Sequence, residues 1–238
     1  MSLIYDNLYP SVQYLDEKDV SRMTQPRPER TLGRPKDQEK RTAIIVAARE
    51  LFMERGYDGV TMEAVAVAAG VAKMTVYGHF HDKDSLFEAS VRETTDMVMA
   101  GLTGLQGVDG QLEASLIAFG RSFLGFMLSP KIASTCHALM GVLAKNPILA
   151  RRFYAAGPGH VRETLCAIIA AAAERGDIAV GDAAQAAEDL ISLWIGEMPL
   201  HLTLGLVDPP TSTEIDHRAR HGTSVFLRAY RPGNPMAS

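Results

Sequence analysis

Residues 61–86, TMEAVAVAAGVAKMTVYGHFHDKDSL, constrain this chain more than any other stretch. Thr61 is placed to cap a helix, because its hydroxyl can accept a hydrogen bond from a free backbone N–H of the first turn. Val65 and Ala68, three apart, give that helix an inward stripe, flanked by Met62 and Ala66. Gly70 supplies the backbone freedom for a sharp turn. Alanines at 66, 68 and 69 leave room for two helices to cross closely. A second short helix is predicted from about Ala72 to Tyr77, and a third starts directly behind it. This is the layout of a helix-turn-helix, whose second helix enters the DNA major groove.

The rest of the composition fits a helical protein around such a unit. A chain of 238 residues with 47% apolar side chains can bury a real core, and strand-like alternation is scarce. Net charge is −4, yet residues 27–41 hold six Arg or Lys against three acids. Only the surface that meets DNA needs to be positive. The longest apolar run, 165–173, is too short for a bilayer span of roughly 20 residues. The acidic N-terminal segment has no apolar h-region and does not read as a signal peptide. Cys136 and Cys166 suit a reducing compartment. They read as two small apolar residues, with a redox-sensing pair as the minor alternative.

The pattern T-x-E-x-V-A-x-x-A-G-V-x-K-x-T-V-Y-x-H-F-x-x-K-x-x-L resembles the signature of the TetR family of transcriptional regulators. The likeness extends upstream through 47–52 (AARELF) and 55–57 (RGY), so it covers about residues 40–89. Further on, P-K-I-A-S-x-C-H and N-P-I-L-A-R-R-F-Y-A-A-G-P-G-H-V are similar to the C-terminal domain of an AefR-like subgroup. The resemblance implies an all-α fold: a three-helix head carrying the helix-turn-helix, then a helical body for ligand binding and dimerisation. It implies no cofactor.

The expected organisation is a tail and basic arm over 1–36, a DNA-binding head over 37–98, and a sensing and dimerising body over 99–230. Helices are predicted at 37–55, from about 82 to 102, then at 111–128, 131–145, 147–156 and 161–175, with a long one at 182–204 kinked by Pro199 and a last one at 213–229. Gly101, Gly104, Gly107 and Gly110 mark a linker.

The candidate DNA-binding residues are Arg34, Thr61, Lys73, Met74, Thr75, Tyr77, His79 and Lys83. Arg34 follows Gly33 and precedes Pro35 in an extended arm that either enters a minor groove or makes only phosphate contacts. Lys73, Met74 and Thr75 sit early in the recognition helix, where base edges are reached, and Met74 can meet a thymine methyl. Tyr77, His79 and Lys83 are assigned to phosphates. Relatives in this family often carry Ser at the position of Ala72 and Gly at that of Met74, so base reading here departs from the family pattern.

Phe119, Phe123, Met127, His137, Met140, Trp194 and His201 are candidates for a ligand pocket, each with core packing as its competing role. Leu165 and Ile169, with Leu190 and Leu193, form either the core of one chain or two helices of an intersubunit four-helix bundle. The family resemblance favours the bundle. Glu197 with His201, and His217 with His221, have metal-compatible i,i+4 spacing, but a solvated face suits them better, and no metal is assigned. No nucleophile elbow, phosphate loop or Cys-x-x-Cys pair is present, which leaves an enzyme reading without residues.

The chain is therefore expected to be a cytoplasmic, homodimeric transcription regulator that binds a palindromic double-stranded DNA operator, acts as a repressor, and responds to a small hydrophobic effector. It is expected to need no membrane. The alternatives are a metal- or redox-responsive DNA binder, or a helical enzyme or scaffold with a vestigial head.

Overall fold

The computed structural model describes residues 34–103 and 112–233, and every regular element among them is an α-helix. The order is α1 (Arg34–Arg55), α2 (Met62–Ala68), α3 (Lys73–His79), α4 (Lys83–Thr103), α5 (Leu112–Met127), α6 (Pro130–Leu143), α7 (Pro147–Ala156), α8 (Pro158–Glu174), α9 (Ala183–Ile195), α10 (Met198–Thr203) and α11 (Ser212–Ala229). The tail, Gly33 and the linker glycines 104, 107 and 110 lie outside the described residues, as does the side chain of Arg34.

The helices start where the sequence places capping groups. Ser129, Asn146 and Asp182 each accept a backbone N–H with a side-chain oxygen, at the starts of α6, α7 and α9. Thr211 and Glu214 form a reciprocal capping box on α11. Asp82 accepts the Ser85 N–H at 2.6 Å, and Ser85 Oγ accepts the Asp82 N–H at 3.2 Å, which fixes the start of α4.

One expected element is divided. The long helix predicted at 182–204 breaks at Gly196, not at Pro199. Gly196 has φ +50°, and Pro199 serves at the beginning of the new helix α10. The Arg218 guanidinium from α11 donates to the carbonyls of Trp194 and Ile195, both at 3.2 Å, so the carbonyls at the break keep partners.

Two cores hold the molecule. The larger joins the far end of α4 (Val98, Met99) to α5, α8, α9 and α11. Trp194 lies at its centre, fully buried, with its indole N–H directed to Thr223 Oγ1 (3.2 Å) and the Ala219 carbonyl (3.3 Å). Gly120 and Gly222 admit the indole: a Cβ on either would approach it to 2.9 and 2.7 Å. The second core lies under the helix-turn-helix and is built from α1–α4, but Leu139 and Leu143 of α6 and Leu149 of α7 complete it. The head thus shares its apolar interior with the body. Among the described residues no single helix is long and apolar enough to cross a membrane.

Candidate nucleic-acid interface and cavity

The helix-turn-helix forms as its residues dictate. Thr61 Oγ1 accepts the Ala64 N–H at 3.1 Å. Gly70 has φ +66°, a left-handed value that permits the turn between α2 and α3. The buried stripe of α2 is Met62, Val65 and Ala66. Ala68 is exposed, because at about 100° per residue it falls on the far side of Val65 from Met62 and Ala66. Val76 of α3 and Phe80 behind it are buried and anchor the recognition helix from below.

That anchoring leaves a defined outer surface. Met74 is 77% exposed, Lys73 and Tyr77 are exposed beside it, and Thr75 is half-buried. Lys73 is held in place across the turn: its ammonium lies 2.6 Å from the Glu63 carboxylate and 5.6 Å from the centre of the Tyr77 ring. The pair holds the Glu63 carboxyl below its ordinary range and the Lys73 ammonium above its own. Lys73 is thus fully charged on the surface that faces outward from α3.

Two residues assigned to phosphates are engaged elsewhere. Lys83 turns inward: Nζ donates to the Tyr57 carbonyl at 3.1 Å and lies 4.2 Å from the centre of the Tyr57 ring. The Tyr57 hydroxyl donates to Asp84, and burial with that carboxylate pushes the phenol well above its usual range. Lys83 therefore ties the start of α4 to the turn after α1. His79 is largely buried and reaches Asp37 of α1 at 3.3 Å, which braces the recognition helix against α1. Both roles come from partners distant in sequence, which spacing alone does not show.

A cavity of about 470 Å³ opens between the head and the body. The end of α1 (Phe52, Met53), Tyr57 in the turn after it, the middle of α4 (Phe87, Ser90, Thr94, Thr95), and parts of α5 to α9 line it. Of the seven residues expected at a pocket, Phe123 and Met127 line it. The other five do not. Phe119 and Trp194 are fully buried in the larger core. His137 and Met140 lie on the exposed face of α6, whose opposite face, with Leu139, meets the cavity. His201 sits on α10 near its i−4 neighbour Glu197, at 3.6 Å. The α1 and α4 contributors were missed because the sequence assigns those helices to the head; the hydroxyls at 90, 94 and 95, recurring at helical spacing among apolar residues, were the available signal. Cys136 also lines the cavity, and burial raises its thiol pKa, which keeps it protonated.

The interface residues need a similar correction. Leu165, Ile169 and Leu190 are fully buried within the single chain, where α8 packs on α9, α7 and α4, and α9 packs on α5 and α11. Only Leu193 of the four is exposed, at 37%. Among the described residues no three His, Cys, Asp or Glu side chains converge as a metal site. The rings of His217 and His221 stack 6.2 Å apart.

A rigid two-helix unit with an outward recognition helix, mounted on a larger helical body, defines a helix-turn-helix DNA-binding regulator. Comparison with known proteins gives the family. Residues 44–90 match the bacterial regulatory proteins of the TetR family, and residues 114–232 match the AefR-like transcriptional repressor C-terminal domain. The chain belongs to the TetR family. Among curated relatives, the transcriptional repressor Rv1474c of Mycobacterium tuberculosis is 37% identical over 79 residues, 33% of this chain and 42% of that protein. The transcriptional activator FasR of Mycolicibacterium smegmatis is 37% identical over 68 residues, 29% of this chain and 31% of that one. The matched stretch thus spans less than half the length of these curated relatives. Solved structures match over far more of their length. A TetR-family regulator from Mesorhizobium loti aligns with a TM-score of 0.68 at 26% identity, covering 82% of this chain and 98% of that one. The flavonoid-responsive regulator FrrA aligns with a TM-score of 0.62 at 29% identity, covering 82% and 99%. Members of this family are transcriptional regulators, not enzymes; they bind DNA operators and act as dimers.

Proposed function

We propose that this chain is a homodimeric repressor that holds a palindromic operator and releases it when a small apolar molecule fills the cavity. The observation that carries this reading is the cavity wall, which combines α1 of the head with α4 to α9. A molecule bound there prefers whichever head position best fits it, and that differential affinity is what can shift a population. The likeness to a regulator named as flavonoid-responsive supports an organic effector. The protein works in the cytoplasm, beside the DNA.

Met74, Lys73 and Thr75 read base edges and Tyr77 contacts phosphate, with Arg34, which opens α1 and so does not lie in the extended arm that Gly33 and Pro35 suggested, and Thr61 at the start of α2 adding backbone contacts. Two such heads must reach half-sites about 34 Å apart, which requires a second subunit. Leu193, Leu200, Leu204 and Leu206, exposed on α9, α10 and the segment after them, provide its apolar face.

Footprinting on the DNA upstream of the protein's own gene tests the reading. A protected palindrome is expected. Tyr77→Ala is expected to weaken protection on every sequence by about tenfold while the dimer persists. A folded dimer that protects no palindrome at moderate salt would overturn the proposal.

A further inference from the structure

The cavity's hydroxyls show what kind of molecule it takes. Ser90, Thr94, Thr95 and Thr135 all line it, and each is already committed as a donor. Ser90 Oγ lies 2.7 Å from the Phe87 carbonyl, and Thr94 Oγ1 2.8 Å from that of Ser90. Thr95 Oγ1 lies 2.9 Å from the Val91 carbonyl, and Thr135 Oγ1 2.8 Å from that of Lys131. A carbonyl oxygen can only accept, so all four hydroxyl protons point back into their own helices. What these groups keep for a guest is lone pairs.

The remaining polar groups agree. The Tyr57 hydroxyl donates to Asp84. Arg49, at the wall, lies 3.7 Å from Glu93, and Arg55 lies 3.5 Å from Glu54, so an entering anion meets cations that already have carboxylate neighbours. Cys136 is held as a neutral thiol by burial. Around these stand aromatic rings from four helices and the turn after α1: Phe52 from the end of α1, Tyr57 beyond it, Phe87 from α4, Phe123 and Phe126 from α5, and Phe153 from α7. Phe87 meets Phe52 edge-on at 5.1 Å and Tyr57 at 5.3 Å, and stacks with Phe153 at 6.3 Å. An aromatic guest extends this cluster through the same offset and edge-to-face contacts.

We propose that the cavity binds an uncharged aromatic molecule that presents hydroxyl or N–H donors to the lone pairs of Ser90, Thr94, Thr95 and Thr135. The proposal rests on reading the cavity as the effector site and adds the chemistry of the effector. The volume of about 470 Å³ falls within the range of about 300–1,000 Å³ for small-molecule pockets and takes two or three linked rings.

Titration calorimetry of the full-length, DNA-free protein tests it with three probes of one shape. The phenol 2-naphthol is expected to bind about fivefold or more tightly than 2-methoxynaphthalene, which has the same rings without the donor. The anion 2-naphthoate is expected to bind more weakly than either. Ser90→Ala with Thr94→Val, Thr95→Val and Thr135→Val is expected to erase the preference for the phenol while the ether still binds. Cys136→Trp is expected to block all three probes, and Thr135→Trp serves if that variant fails to fold. An ether that binds as well as the phenol, or a naphthoate that binds best, overturns the proposal. So does a phenol preference unaffected by the hydroxyl deletions. Operator release is scored separately. Binding with the stated preferences but no release sustains this assignment and sinks the effector reading; release with no preference for the phenol does the reverse.

Discussion

Ala72 stands at the start of the recognition helix and gives it no side-chain hydrogen bond. An N-cap hydroxyl there would satisfy a free N–H of the first turn at a site already in extended geometry, with φ −67° and ψ 145°. Ala72→Ser is therefore expected to stabilise the fold by about 1 kcal/mol, measured by urea unfolding, and to tighten operator binding through the added phosphate-facing hydroxyl. A variant no more stable than the parent would show that α3 is held by Val76 and Phe80 alone. The missing cap is legible in the sequence, because capping depends on one residue and its neighbours. The fate of Lys83 is not. Its partner Tyr57 lies 26 positions away, and only packing of α4 under α1 turns the ammonium inward. His79 likewise meets Asp37 only after α3 crosses α1.

At the scale of elements, most helices fall within a few residues of where capping and periodicity put them. The exception is the region of α9 and α10. The sequence offers Pro199 as a kink, yet Gly196 makes the break, and Arg218 from α11 supplies the hydrogen bonds that make a break there tolerable. The helices α5 and α11 that flank α9 explain Trp194. Gly120 of α5 and Gly222 of α11 clasp the indole, and Phe119 and Phe123 pack against it, so core groups rather than a ligand surround it. Gly222→Ala would drive a methyl to 2.7 Å from the ring, and an overpacked core of this kind loses about 1–3 kcal/mol. Thermal unfolding followed by Trp194 fluorescence reads the loss. An unchanged midpoint would mean that α11 can move off α9 freely, contrary to the shared core. The glycines were visible in the sequence, but their meaning depended on which aromatic ring crossed them.

At the scale of the molecule, the head and the body meet over a common apolar interior, so displacing one must disturb the other. The proposed dimer adds a second surface. Leu165, Ile169 and Leu190 are spent on the fold of the single chain, which moves the expected contact to Leu193, Leu200, Leu204 and Leu206. Leu200→Glu with Leu204→Glu changes two side chains that are 57% and 61% exposed, so the fold is expected to survive. The variant is expected to sediment as a monomer and to lose operator affinity by at least a hundredfold, since only one half-site can then be held. An intact dimer carrying both charges would place the interface elsewhere.

The sequence by itself determined the all-helical class, the helix-turn-helix with its Thr61 cap and Gly70 turn, and the family, because each is written in local spacing that the backbone obeys without long-range help. It also indicated that Met74 and Tyr77 face outward, since Val76 must face in. Only the tertiary structure decided which apolar residues are core, which line the cavity and which stay exposed. Helical periodicity shows that a residue has an inward side, but not what lies opposite it. Residues 61–86 thus identify the protein as a DNA binder, whereas the cavity beneath them is made of α1 and α4 to α9 folding onto one another, and no single stretch of the chain contains it.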